Sequence, residues 1–210
     1  MREPRRVRGR PRSEKSRDAI LEATFVVLRE RGYDGLSIER VAAAALAGKA
    51  TIYRWWPSKA ELAVDAFFHA TKDELVVPDT GSAAQDFRQQ IMALAALLRD
   101  GRGAVLAAML GGARTDPLLA RALGERWLAP RRAWGTRRML AAVAAGDCHE
   151  GIDPQAALAV LYGPLYTPLL FGRPVPSVHQ VRAVLAIAMS GIFRPSARSG
   201  RVAETQKRER

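Results

Sequence analysis

The sequence predicts an all-α chain, and three observations carry that prediction. Apolar residues recur at i, i+3, i+4 and i+7 through most of the 210 residues, the period of an amphipathic helix. Helix punctuation is regular. Ser37, Ser58 and Ser177 precede apolar runs as N-caps, Asp116-Pro117 and Asp153-Pro154 set a cap before a proline at N1, and Gly32 and Gly146 stand at C′. Hydrophobic content is 48%, yet no segment alternates over the short period that marks a strand.

Taken in order, residues 1–12 (MREPRRVRGRPR) hold six arginines and no apolar run, which predicts a disordered basic arm. Within it Arg8-Gly9-Arg10-Pro11 resembles the core of an AT-hook, which lays Arg8 and Arg10 along a narrow minor groove. The equally supported alternative is a solvated tail that adds sequence-independent attraction. A first helix runs from Ser13 or Ser16 to Arg31, with Ile20, Ala23 and Val27 on one line and Leu21, Phe25 and Leu28 on the next. Arg17, near its start, is a candidate phosphate contact. Tyr33-Asp34-Gly35 connects it to Ser37.

From Ser37 the spacing predicts two short helices joined by a tight turn. Ile38, Val41, Ala42 and Ala45 make one side of the first apolar, and the second runs from Gly48 to Trp56, where Pro57 stops it. Lys49, Thr51, Tyr53 and Arg54 give this second helix a cation, a hydroxyl, a phenol and a guanidinium, with Trp55 and Trp56 directly after. Such groups suit phosphate oxygens and base edges. A helix so equipped and braced by another is the helix-turn-helix arrangement that enters a major groove.

Ser58-Lys59-Ala60-Glu61 reads as a capping box opening a helix over 58–76, about 28 Å long. Further helices follow at 83–99, 104–113, 118–127, 130–145, 154–171 and 177–193, and residues 195–210 are predicted disordered. Phe87, Met92, Met109, Trp127, Trp134, Met139, Tyr162, Tyr166 and Phe171 spread aromatic and thioether groups over several of these helices. An apolar cavity between helices would draw on such side chains. All but Met139 are taken as candidate ligand-binding residues for a small effector, apolar or aromatic. Leu158, Leu161, Leu165 and Leu169, with Val181, Val184, Leu185, Ala188 and Ile192, form long apolar faces on the last two helices. They either build a two-fold, four-helix interface with a second copy or cover the core of one chain.

Charge narrows the function. The formal net charge of +12 is concentrated at the front: residues 1–59 hold 14 Lys or Arg against 7 Asp or Glu, and residues 60–194 hold 14 against 12. A basic front on a near-neutral body suits a reader of double-stranded DNA with a separate second module. No nucleophile elbow, phosphate loop or metal-ligand spacing is present, and Cys148-His149-Glu150 points its three groups in different directions. The expectation is therefore no enzyme, no cofactor and no metal. One cysteine, no signal peptide and no bilayer-length apolar run predict a soluble cytoplasmic protein without a membrane partner.

The run from Ser13 to Phe67, through AILEATFVVLRERGYDGLSIERVA, GKATIYRWWPSKAEL and the helix after them, resembles the DNA-binding domain of the TetR family of bacterial transcriptional regulators. A looser likeness, in ALGERWLAPRRAW and GIDPQAALAVLYGPLYTPLLFG, extends to that family's ligand-binding and dimerisation domain. The chain departs from the pattern at Ala45-Leu46-Ala47, where the family has an Ala-Gly-Val type of turn. The resemblance implies an arm at 1–12, a helix-turn-helix domain at 13–57, the linking helix 58–76, a ligand-binding and dimerisation domain at 77–194 and a tail at 195–210. It also implies a homodimer through the last two helices, binding a palindromic operator as a repressor and released by a small molecule. Ser37, Lys49, Ala50, Thr51, Tyr53, Arg54, Trp55 and Lys59, with Arg8, Arg10 and Arg17, are the candidate DNA-binding residues, whereas Trp56 is expected to pack inward. The rival expectation is an interaction module of the same fold, its altered turn leaving only weak, sequence-independent DNA binding.

Overall fold

Local capping sets most helix starts. In the computed structural model, which describes residues 10–72 and 78–195 with side chains from residue 14 onward, every described element is helical apart from one isolated bridge between Cys148 and Phe193. Helix α1 spans Arg10–Arg31, α2 Ile38–Ala44, α3 Lys49–Trp55, α4 Lys59–His69, α5 Ala83–Arg99, α6 Arg102–Gly112 and α7 Pro117–Ala122. A π-helical segment, Leu123–Leu128, follows, then α8 Ala129–Ala144, α9 Pro154–Leu170 and α10 Val178–Ile192. The Ser37, Ser58, Asp116, Asp153 and Ser177 side chains each accept a backbone N–H of the first turn they precede. Only Ser177 completes a reciprocal box, with Gln180. Glu61, expected to close one with Ser58, instead turns its carboxylate to Arg126 at 2.9 Å.

Two elements depart from expectation. The helix predicted over 58–76 ends at His69. The Thr71 hydroxyl donates to the Phe67 and Phe68 carbonyls, a back-bond that competes with the helical ladder. The reach of about 28 Å is therefore not achieved by this helix. Where a break was expected between 127 and 130, the helix continues through the π-helical segment. Pro130 has no N–H to give the carbonyl four residues back, and the wider i→i+5 turn precedes it.

The chain forms two compact units. The first comprises Met1–Asp73 and Ala104–Trp127, the second Glu74–Gly103 and Leu128–Arg210. Residues 104–127 thus group with the front of the chain, although the sequence reading set 77–194 apart as one domain. In the first unit α4 packs against α1 and α7 over Ile20, Leu21, Leu28, Leu62, Phe67 and Trp127, all almost wholly buried. A Cβ on Gly112 would lie 2.6 Å from the Tyr33 ring, so the bare backbone is what lets α6 approach it. In the second unit α5, α8, α9 and α10 pack around Phe87, Ile91, Leu94, Met139, Leu161 and Leu185. Asp86, fully buried there, accepts from Thr80 N at 2.8 Å, Thr80 Oγ1 at 2.7 Å and Arg138 Nε at 2.6 Å.

The glycine-free turn between α2 and α3 is formed. Ala47 N donates to Ala42 O at 3.0 Å and Leu46 N to Ala43 O at 3.4 Å, the bond pair of a Schellman motif. Leu46 occupies C′ with φ +50°. The same bond pair closes α8 and α9, and there the C′ residue is Gly146 or Gly172, at φ +74° and +62°. A side chain in this region costs roughly 1–2 kcal/mol, and the Leu46 side chain, 96% exposed, recovers nothing by packing. Leu46→Gly is expected to raise the unfolding free energy by about 1 kcal/mol. A urea midpoint unchanged or lowered in the variant would contradict the strain.

Candidate nucleic-acid interface

Helix α3 is seven residues long, too short to persist alone. Two inward side chains one turn apart hold it: Ile52, fully buried, and Trp56, 1% exposed at the C-cap. The Trp56 indole N–H donates to Asp65 Oδ2 on α4 at 2.9 Å, and the Arg17 guanidinium lies 5.8 Å from the centre of its ring. Asp65 Oδ1 also accepts from Arg126 Nη1 at 2.7 Å. Hydrogen bonding to Asp65, then the charges of Asp65 and Glu61, hold the Arg126 guanidinium above its ordinary pKa against the opposing effect of burial. The base of α3 is thus tied to α4 and to the π-helical segment.

With Ile52 and Trp56 inward, the other faces of α3 turn out. Tyr53 is 52% exposed and Trp55 38%, and Lys49, Ala50 and Arg54 are exposed beside them, with Thr51 half-buried. Lys49 Nζ donates to Glu39 Oε1 on α2 at 2.7 Å. That bond is the first cause holding the Lys49 ammonium above and the Glu39 carboxyl below their ordinary values. A phosphate approaching Lys49 competes with Glu39.

The remaining candidates are more engaged. Ser37 caps α2, accepting from Arg40 N at 3.3 Å. Lys59 sets its ammonium 4.6 Å from the centre of the Tyr33 ring, and the Tyr33 hydroxyl donates to Asp116 Oδ2 at 2.6 Å. Arg8 and the side chain of Arg10 lie outside the described residues, as does the tail after 195. Glu39, Asp65 and Arg126 were not singled out from sequence, since only packing brings them to α3.

The eight candidate effector residues do not converge. Met109 and Trp127 belong to the first unit, where Trp127 packs edge-on to Phe67 with ring centres 4.8 Å apart. Phe87 is fully buried in the core of the second unit, 5.2 Å from Trp134. Met92 is half-buried on α5. Phe171, 73% exposed, lies along an open groove with Val160 and Pro164. Tyr162 and Tyr166 alone share a cavity, of about 220 Å³, with Leu128, Arg131, Arg132, Gln155, Leu158 and Ala159. The sequence pattern picked out aromatic side chains by type and could not tell core from cavity wall.

A family model described as the tetR family of bacterial regulatory proteins matches residues 20–66. Another, the Tetracyclin repressor-like C-terminal domain, matches residues 77–188. The chain belongs to the TetR family.

Relatives agree along nearly its whole length. This TetR-family chain is 34% identical over 190 residues to an uncharacterized HTH-type transcriptional regulator of Bacillus subtilis, YdeS, covering 90% of this chain and 96% of that one. It is 31% identical over 198 residues to the DNA-binding transcriptional repressor TetR of Mycobacteroides abscessus, covering 89% and 98%. Among solved structures, the TetR family transcription regulator SCO0332 superposes with a TM-score of 0.69 at 33% identity, covering 86% of this chain and all of that one. The protein is a helix-turn-helix transcriptional regulator of the TetR family. Among the described residues no helix is long and apolar enough to cross a membrane, and no cluster of three or more His, Cys, Asp or Glu could hold a metal.

Proposed function

We propose that this regulator is a cytoplasmic repressor that binds a palindromic operator as a homodimer and is released by a small molecule bound in its second unit. The observation that carries the reading is the division of α3 into an anchored side, Ile52 and Trp56, and a displayed side, Lys49, Ala50, Thr51, Tyr53, Arg54 and Trp55. Displayed hydroxyls and cations position a helix on phosphates, and two copies related by a two-fold axis read the halves of a palindrome. Ser37, Lys59 and Arg17 flank that surface, and the basic arm with Arg8 and Arg10 adds attraction.

The dimer forms through α9 and α10, and of the residues expected to build it Val184 alone is exposed. Leu158, Leu161, Leu165, Leu169, Val181, Leu185, Ala188 and Ile192 are all buried within the single chain. Apolar side chains left outward include Val160 at 53%, Leu170 at 62%, Phe171 at 73% and Ile187 at 75% exposure, with Val178 and Val184 less so. These suit a two-fold, four-helix interface.

The effector acts by binding one arrangement of the chain better than another. The Trp56–Asp65–Arg126 tie is the element such a shift would act on, because Arg126 stands in the segment that leads directly into α8.

A salt titration with a palindromic and a scrambled duplex tests the reading. The palindrome is expected to bind at least a hundredfold more tightly at physiological salt. Equal affinity for both, with a steep salt slope, would replace it with the weakly binding interaction module. Tyr53→Phe removes one hydroxyl donor and is expected to weaken binding two- to tenfold on every sequence. A loss confined to one base step would contradict a phosphate role.

A further inference from the structure

The cavity between α8 and α9 has a lining that the effector reading by itself does not explain. Its walls are apolar where Leu128, Leu158, Ala159 and the rings of Tyr162 and Tyr166 meet, but Arg131 and Arg132 also line it and no acidic side chain does. Arg131 is half-buried. Burial lowers its guanidinium pKa, and the nearby Tyr166 and Tyr162 oxygens oppose that only in part. An anion beside it would favour the charged form. The Tyr162 hydroxyl gives its proton to Gln90 Oε1, which fixes the ring as a wall and leaves only lone pairs on its oxygen. Gln155 Nε2 is likewise committed, to Thr136 Oγ1 at 3.0 Å. Arg131 and Arg132 bring two guanidiniums to this lining and no carboxylate stands among them, which suits an acceptor-rich ligand. A planar guanidinium matches a carboxylate through two parallel N–H···O bonds.

We propose that this cavity takes a small monocarboxylate, its carboxylate on Arg131 and its apolar part against Leu158 and the two tyrosine rings. A volume of about 220 Å³ is below the roughly 300–1,000 Å³ of sites for drug-sized ligands. It has room for one ring or a short alkyl chain beside the acid group. The inference rests on the effector-released reading above and narrows the effector from any apolar or aromatic molecule to an anionic one.

The full-length protein is titrated with benzoate, phenylacetate and hexanoate, each beside its neutral amide, by calorimetry without DNA. Each acid that binds is expected to do so at least tenfold more tightly than its amide. Arg131→Met is expected to lower acid affinity at least tenfold and so to remove most of that preference. If Arg131→Met does not fold, Arg131→Lys, which keeps the charge and loses the planar fork, is expected to reduce the preference. Amides binding as well as acids, a preference unchanged in either variant, or no acid binding at millimolar concentration each overturns the proposal. A separate arm measures binding to the palindromic duplex with and without acid. Acid-free protein that ignores the duplex defeats the regulator reading whatever the calorimetry gives. Duplex binding by a protein that disregards every acid defeats the monocarboxylate alone.

Discussion

Replacing Arg138 by Met is expected to lower the unfolding free energy by about 3–5 kcal/mol at neutral pH, the usual result of stranding a buried charge. Asp86 is fully buried, and Arg138 Nε donates to its Oδ2 at 2.6 Å. Burial alone would raise the Asp86 carboxyl, and the donations from Thr80 and Arg138 more than reverse that, leaving it below the ordinary carboxylate range. A carboxyl depressed in the folded state adds stability that is present above its unfolded pKa, near 4. That stability is lost as pH falls through the folded value. With Arg138 gone the folded carboxyl rises, so the gap between variant and wild type is widest at neutral pH and narrows as pH falls through the variant's raised folded value. Urea unfolding at pH 7 and pH 4 reads both effects. Adding Asp86→Asn to the variant removes the stranded charge, keeps an acceptor for Thr80, and is expected to recover a large part of the loss. A single variant as stable as wild type at pH 7 would mean that the pair carries no such weight.

The second large effect is at Trp56. Trp56→Ala is expected to cost about 3–5 kcal/mol, the range for emptying a large buried aromatic site. DNA affinity should fall further than the stability loss requires. Only Ile52 would still hold α3, and seven helical residues do not keep their geometry unaided. Trp56→Phe separates the two contributions. It preserves most of the packing and removes the donor to Asp65, which retains Arg126 at 2.7 Å. It is expected to cost about 1 kcal/mol of stability and to weaken operator binding without abolishing it. Folded Trp56→Ala protein binding the palindrome at wild-type affinity would break the link between this anchor and the displayed face.

Much of the architecture was written in neighbouring residues. N-caps accept from N–H groups two or three positions ahead, so Ser37, Ser58, Asp116, Asp153 and Ser177 could be located without a fold. Trp56 is buried as expected, whereas the inward turn of Ile52 was not read from the sequence. The basic front end and the helix-turn-helix spacing pointed to DNA for the same reason: both are local.

The rest depended on which elements meet. Helix α4 ends at His69 although the apolar spacing runs on, and residues 104–127 joined the front unit because their apolar side chains found α4 there. Asp65 became the partner of both Trp56 and Arg126, 61 positions further on. Arg131 was one of many arginines until packing half-buried it among tyrosines. Leu46 adopted φ +50° because the bonds closing α2 demand that geometry of whichever residue stands at C′. Sequence sets what each segment prefers over a turn or two. Burial, and the pairing of charges far apart in the chain, exist only once the segments are brought together.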